Sequence, residues 1–348
     1  MDLFPQNPDD LKIIFLGIGA IGGSMGALTA LHHPNTWLLA RGKTAEVLSE
    51  KGMTLYPGGQ PDQKQQIPVK VIRGLDEVPD PDVVVLGVKL YDLEEAAREV
   101  KDKIGDRAIV IGIQNGVAAE DILPKYFAHP AFGIVTYNAW VDEPGVIGYQ
   151  PGGAIVLGTL DNSLQVELQA LARIFSRGHE SLVTRHLRDA AHCKLVINLA
   201  NSVTTLLGPD YRQISDLDLY QDILSSTIYE GVRVIRAAGF HEELEGGLPS
   251  WRTLWAAASL PRLLTRRIFQ ANLKKMTLSS MGQDVLQRKR SVTELEYLNG
   301  TLLTLADQVR VPVPYNRAIY RLCRQHFPRP DFRPLDVRDV WREIKKGS

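Results

Sequence analysis

Short apolar runs alternate with helix-forming segments along the first half of the chain. The runs occupy residues 11–16, 35–41, 82–89 and 108–113. Runs that are apolar throughout are typical of strands buried on both faces of a parallel sheet. Their alternation with helices predicts a doubly wound α/β domain. Residues 53–70 are expected to form short strands or a loop, residues 132–140 and 146–157 a further strand pair, and residues 164–175 a helix.

The pattern changes near residue 184, after which helical periodicity replaces the apolar runs. A chain of 348 residues is long enough for about two domains. The sequence therefore predicts an α/β domain over residues 1–184, followed by an all-helical domain over residues 185–348.

Glycines interrupt the chain directly after the first apolar run. Gly17 and Gly19 allow a tight turn and a close approach of the backbone to a pyrophosphate, while Gly22 allows the following helix to pack against the strand. Ala20 and Ile21 lie in the expected first turn of that helix, whose N–H groups favour anions. This strand, turn and helix predict a dinucleotide site.

The second strand indicates which dinucleotide binds. It ends in Arg41, and no Asp or Glu occurs between Gly23 and Arg41. An acidic residue at this point accepts hydrogen bonds from a ribose 2′-OH, whereas a guanidinium suits a 2′-phosphate. The sequence thus favours NADP(H) over NAD(H).

Two further strands end in polar residues, Lys89 and Asn115. Ligands of such sheets bind beyond the carboxyl ends of the strands. We therefore expect both side chains to lie at the same edge as Gly17.

A polar stripe marks the helix predicted over residues 189–207. At ~100° per residue, Lys194, Asn198 and Asn201 fall within ~60° of one another. Periodicity alone favours a solvated face. Asparagine is a poor helix former, however, so its use here hints at hydrogen bonding to a substrate, with the lysine able to protonate a developing alkoxide.

Composition excludes several classes of protein. Apolar residues make up 44% of the chain, charged residues 23%, and the net charge is zero. These values are typical of a globular protein and give no overall basic footprint for nucleic acid. Two cysteines are too few for a disulfide framework. The sequence has no candidate metal site, bilayer-spanning run or signal peptide, so we expect a cytoplasmic location and no membrane partner.

Taken together, these features resemble the ketopantoate reductases (2-dehydropantoate 2-reductases). The resemblance extends to a C-terminal segment that contains Ser280, Asp284 and Glu294. It implies a Rossmann-type domain and a helical domain with the active site in the cleft between them. The implied reaction is the reduction of a 2-keto acid by NADPH. By resemblance, Lys194 is the general acid and Glu294 pairs with or positions the reacting groups. The implied substrate-binding residues are Asn115, Asn198, Asn201, Ser280 and Asp284, and the implied cofactor-binding residues are Gly17, Gly19, Ala20, Ile21, Gly22, Arg41, Lys89 and Asn115.

The surroundings of Glu294 are compatible with that role. Thr293 and Glu296 have the spacing of a capping box that opens a helix over residues 294–309. A carboxylate in the first helical turn stays ionised and could serve as a counter-ion to Lys194. Residue chemistry alone favours a helix-capping role for Glu294, and the resemblance favours the catalytic one.

Three departures from the family pattern concern the expected substrate region. Ser202 stands where a second asparagine is usual, so either Asn201 or Ser202 takes that role; the spacing from Asp284 to Glu294 is longer by two residues; and Gly246 to Lys275 looks like an added segment. An opine-type or other 2-hydroxy-acid dehydrogenase is the alternative enzyme, and a non-catalytic NADP-sensing protein is the alternative outside catalysis. The sequence is compatible with a homodimer.

Overall fold

The computed structural model describes residues 4, 7–273 and 278–346. The chain folds into two compact units, of which unit 1 comprises Met1–Arg188 with Glu245–Gly247, and unit 2 comprises Asp189–Leu244 with Leu248–Ser348. The expected boundary at 184/185 lies a few residues before this division. No feature of the sequence predicts that the short segment Glu245–Gly247 belongs to unit 1.

The described residues of unit 1 before residue 187 contain two sheets and five α-helices. The strands are β1 (Ile13–Leu16), β2 (Thr36–Leu39), β3 (Met53–Pro57), β4 (Gln65–Ile67), β5 (Lys70–Ile72), β6 (Val83–Leu86), β7 (Ile109–Gly112), β8 (Ala131–Val135), β9 (Ala139–Glu143), β10 (Val146–Tyr149), β11 (Ile155–Thr159) and β12 (Ser181–Val183). The helices are α1 (Ala20–His32), α2 (Gly42–Lys51), α3 (Leu93–Ile104), α4 (Ala119–Ile122) and α5 (Gln165–Phe175).

The larger sheet has the strand order β12-β11-β8-β7-β6-β1-β2-β5. Six neighbouring strands of this sheet pair in parallel, in the order β8-β7-β6-β1-β2-β5. This order is that of a doubly wound dinucleotide-binding sheet. All residues of β1, β6 and β7 are buried, as expected for strands covered on both faces. The predicted α/β class, with a parallel sheet followed by a helical region, is confirmed.

The strand pair predicted from residues 132–140 and 146–157 is wrong in detail. Each stretch contains two strands, and β8 pairs with β11 in the larger sheet while β9 pairs with β10 in a second sheet of order β4-β3-β10-β9. The first stretch has no Gly or Pro between its two strands, so its pattern does not show where the chain changes sheet, whereas Pro151, Gly152 and Gly153 mark the break between β10 and β11. The chain leaves β8 at Thr136, whose side chain donates to the carbonyl of Gly246, 2.6 Å away.

All regular secondary structure in the described part of unit 2 is helical. They are α6 (Leu187–Asn198), which begins in unit 1, α7 (Ala200–Leu207), α8 (Leu217–Ala237), α9 (Trp251–Ser259), α10 (Arg262–Leu273), α11 (Ser280–Gly282), α12 (Thr301–Gln308), α13 (Pro314–His326) and α14 (Val337–Lys346). Two π-helical turns, Gln283–Gln287 and Glu296–Gly300, lie among them. The helix predicted over 189–207 is interrupted at Leu199, where α6 gives way to α7.

The added segment, residues 246–275, contributes α9 and α10. Arg262 and Arg266 form ion pairs with Asp222 and Asp218 of α8, which attaches α10 to that helix. Lys274 and Lys275 lie outside the described residues. Within the part of the chain that is described, no helix has the length and apolar character needed to cross a bilayer.

Candidate functional site

The three glycines of the turn after β1 meet different surroundings. A Cβ at Gly17 would lie 2.3 Å from the amide nitrogen of Val88, and a Cβ at Gly22 would lie 2.2 Å from the carbonyl oxygen of Gly17. These two glycines are therefore required for close packing between the turn, α1 and the end of β6. A Cβ at Gly19, by contrast, would meet no described atom within 4 Å.

Gly19 therefore marks the open side of the turn. It is the N-cap of α1, and because glycine has no side chain, no side-chain cap occupies the N–H groups of the first turn. The first turn of α1 also contains no acidic residue. The N–H groups of a helix N-terminus carry partial positive charge and attract anions. The open space beside Gly19 and these N–H groups are features that a pyrophosphate requires to approach the backbone.

The predicted neighbours of the turn lie at one edge of the sheet. β1, β6 and β7 are adjacent and parallel, so Lys89 after β6 and Asn115 after β7 follow the same carboxyl edge as Gly17. Both side chains are half-buried. This arrangement satisfies the geometric condition on which their predicted cofactor roles depend.

Gln114 stabilises this edge, a role that the sequence does not indicate. Its Nε2 donates to the carbonyls of Leu86, at 2.6 Å, and Val88, at 3.2 Å. These bonds link the ends of β6 and β7 immediately before Lys89. The available signal was the position of Gln114, directly before Asn115 at a strand end.

Arg41 lies at the N-cap of α2. Its side chain is 65% exposed, and its Nη2 donates to both carboxylate oxygens of Glu99 on α3, at 2.6 and 2.8 Å. No local pattern indicates this partner, because the two residues are separated by 58 positions. The guanidinium predicted to bind a 2′-phosphate therefore has an acidic neighbour.

The Lys194 stripe of α6 and α7 is not a solvated face. Asn198 is 6% exposed, and Lys194 and Asn201 are half-buried. Burial lowers the pKa of the Lys194 ammonium to about 8, since an apolar environment disfavours the charged form. A lysine with such a pKa exchanges protons near neutral pH.

Ser202 is fully buried within unit 2. Its hydroxyl donates to the carbonyl of Leu199 at 2.8 Å and accepts from Nδ2 of Asn299 at 3.1 Å. The hydroxyl is thus used in the core beside the second π-helical turn. Of the two residues considered for the second amide position, Asn201 is the more accessible.

Asp284 lies in the first π-helical turn, and its side chain is 2% exposed. Its carboxylate pairs with Arg288 at 3.1 Å and Arg290 at 3.6 Å. These ion pairs tie the π-helical turn to the loop that follows it, residues 288–290. They suit a residue that holds this loop in place better than one that contacts substrate directly. Ser280 begins α11 and is half-buried, while the hydroxyl of Ser279 caps that helix.

Glu294 is 5% exposed and lies immediately before the helical residues that begin at Leu295. The predicted capping box is wrong. The carboxylate of Glu296 is engaged by Tyr320 and Arg324 of α13, whereas Thr293 accepts a hydrogen bond from the amide of Leu295 at 3.3 Å. Tertiary contacts with α13 have displaced the local capping interaction.

The described residues contain no group of three or more His, Cys, Asp or Glu side chains arranged to hold a metal ion. Each unit carries its own candidate residues: the glycine turn and strand ends in unit 1, and the lysine, amide and carboxylate side chains in unit 2.

Comparison with known families covers most of the chain. Residues 13–162 match the model of ketopantoate reductase PanE/ApbA, and residues 186–327 match that of the ketopantoate reductase PanE/ApbA C terminal. The chain is 26% identical over 316 residues to 2-dehydropantoate 2-reductase of Pyrococcus horikoshii, covering 90% of this chain and 97% of the relative. It is 27% identical over 318 residues to the enzyme of the same name from Pyrococcus abyssi, with the same coverage of both chains.

Solved structures share the fold. A PanE/ApbA family ketopantoate reductase from Ralstonia eutropha JMP134 aligns with TM-score 0.68 at 24% identity, covering 96% of this chain and 99% of the other. A D-mandelate dehydrogenase with NADH and anilino(oxo)acetate aligns with TM-score 0.72 at 17% identity, with the same coverage. Since the two ketopantoate reductase models together match most of the chain, the chain belongs to the ketopantoate reductase family and is an oxidoreductase.

Proposed function

We propose that the chain reduces the C2 carbonyl of a 2-keto acid to a hydroxyl group with NADPH, and that ketopantoate is its substrate and pantoate its product. The observation that carries the proposal is Lys194, a half-buried lysine whose pKa burial lowers to about 8, one turn before Asn198 on α6, with Asn201 in the first turn of α7. The names of the relatives, 2-dehydropantoate 2-reductase, support the choice of substrate.

Unit 1 is the proposed cofactor-binding unit. The pyrophosphate would bind beside Gly19 and the first-turn residues Ala20, Ile21 and Gly22, where the turn is open. Arg41 would bind the 2′-phosphate, while Lys89 and Asn115 would contact the cofactor from the same edge of the sheet. A bound NADPH supplies the hydride that reduces C2.

Unit 2 supplies the proposed proton donor. Lys194 in its ammonium form would polarise the carbonyl and give its proton to the oxygen as negative charge develops there. Asn198, Asn201 and Ser280 would orient the polar groups of the substrate. Asp284 acts in this proposal by positioning its loop through Arg288 and Arg290, and the role of Glu294 as partner or positioner of the reacting groups stays a prediction.

The decisive test is NADPH oxidation with ketopantoate, compared with a panel of other 2-keto acids offered with and without an amine. We expect the highest kcat/KM for ketopantoate without amine, and pantoate as the product. Faster turnover of another keto acid would transfer the assignment to a different 2-hydroxy-acid dehydrogenase. Dependence on the amine would indicate an opine-type enzyme, and absence of turnover with every substrate would contradict the proposal.

The pKa of Lys194 predicts a pH dependence. The ammonium is the active form for reduction, so kcat/KM is expected to be constant well below pH 8 and to fall about tenfold per pH unit well above that value. Oxidation of the hydroxy acid needs the neutral amine and should rise over the same interval. Lys194→Arg keeps a cation that does not deprotonate in this range, so the alkaline fall should disappear in this variant. If it persists unchanged, another group is responsible for the titration.

A further inference from the structure

The guanidinium of Arg41 lies next to a helix N-terminus that favours anions. α2 begins at Gly42, directly after Arg41, without a capping hydrogen bond from a side chain and without an acidic residue in its first turn. Gly42 and Lys43 are both exposed. Arg41, Lys43 and the dipole of α2 therefore all place positive charge at this helix end. Positive charge favours a bound phosphate group.

Glu99 brings a negative charge into this region from another helix. Both of its carboxylate oxygens accept from the same atom of Arg41, Nη2. A 2′-phosphate that approaches this guanidinium competes for Nη2 and is repelled by the carboxylate. The side chain of Glu99 is 32% exposed, so water and salt reduce the repulsion but do not abolish it.

We propose that Glu99 is a specificity-determining residue that weakens the binding of the 2′-phosphate and so narrows the preference for NADPH over NADH. This inference rests on the proposed role of Arg41 in binding that phosphate. NADH has no 2′-phosphate and should be indifferent to the charge of Glu99. Glu99 therefore changes the ratio of the affinities for NADPH and NADH, and does not change the affinity for dinucleotides in general.

The size of the effect follows from the charges. A phosphate monoester carries a charge of about −1.5 to −2 at neutral pH. At a separation of about 6 Å in a water-like dielectric, its repulsion by one carboxylate changes affinity about six- to tenfold without salt, and about fivefold when screened at low salt. The effect should shrink as salt is added, because the pair lies near the surface.

Glu99→Gln tests the charge alone, since the amide keeps nearly the same shape and its oxygen still accepts from Arg41. Glu95→Gln is the matched control, because Glu95 lies one turn earlier on α3, is exposed and undergoes the same chemical change. Dissociation constants for NADPH and NADH are measured by calorimetry at low and high salt. The pair 2′,5′-ADP and 5′-AMP gives the same comparison without the nicotinamide.

Glu99→Gln is expected to tighten NADPH and 2′,5′-ADP about fivefold at low salt and to change NADH and 5′-AMP less than twofold. Glu95→Gln should change none of them by more than twofold. Unchanged or weaker NADPH binding in Glu99→Gln would overturn the inference, with weaker binding identifying Glu99 as a residue that orients Arg41.

Arg41→Ala separates this inference from the proposed cofactor role. In the otherwise unchanged protein it should weaken NADPH at least tenfold and NADH little. In its presence Glu99→Gln should tighten NADPH no more than in the unchanged protein, because the competition for Nη2 is gone and only the direct repulsion remains. If Arg41→Ala leaves NADPH binding intact, the proposed 2′-phosphate role fails and the inference fails with it. If Arg41→Ala weakens NADPH but Glu99→Gln does not tighten it, only the inference about Glu99 fails.

Discussion

Lys194→Ala is expected to lower kcat for keto-acid reduction by about 100-fold or more, which is the usual contribution of a general acid. The variant retains the glycine turn and Arg41 of unit 1, so the dissociation constant for NADPH should change little. Single-turnover measurements at saturating NADPH test the chemical step, and calorimetry tests cofactor binding. Near-normal turnover would remove Lys194 from the mechanism.

Lys194→Met provides the matched control for folding. Methionine keeps an unbranched apolar stem and removes the charge whose burial lowers the pKa of Lys194 to about 8. Since burying an ammonium is unfavourable, the thermal midpoint of unfolding should be equal to or above that of the unchanged protein. A stable Lys194→Met variant that binds NADPH but does not turn over would show that the ammonium, and not a packing defect, accounts for the loss.

Gly19→Ala is expected to weaken NADPH binding about tenfold or more without unfolding unit 1. The added methyl group meets no described atom within 4 Å, and Gly19 has an extended backbone that alanine adopts readily. The cost to stability should be about 1 kcal/mol, because alanine is a poorer N-cap than glycine. The methyl group would instead occupy the space proposed for the pyrophosphate. Unchanged cofactor affinity would place the pyrophosphate elsewhere.

Gly22→Ala is the contrasting variant in the same turn. Its Cβ would lie 2.2 Å from the carbonyl oxygen of Gly17, so the backbone must shift. We expect the free energy of unfolding to fall by about 2 to 4 kcal/mol, comparable to a severe packing defect. A stability loss for Gly22→Ala together with an affinity loss for Gly19→Ala would separate the structural glycine from the ligand-facing one.

The parts of the fold that could be predicted are those set by local pattern. The uninterrupted apolar run of β6, for example, indicates a strand buried on both faces, and glycines at 17, 19 and 22 indicate a turn that leads into a helix. The pattern did not separate β8 from β9, because only Thr136, Tyr137 and Asn138 lie between them. It also did not show which sheet β10 and β11 join, because their pairing partners are set by tertiary contacts. The capping box failed because Glu296 has partners on α13 that are distant in sequence.

The sequence by itself determined the α/β fold class, the position of the glycine turn and the stripe that contains Lys194, because each depends on residues close together in the chain. Only the tertiary structure decided which charges meet. It placed Glu99 against Arg41, gave Ser202 a core partner in Asn299 and buried Lys194 enough to lower its pKa. These properties depend on residues far apart in sequence and on exclusion of water by packing, neither of which a local pattern encodes.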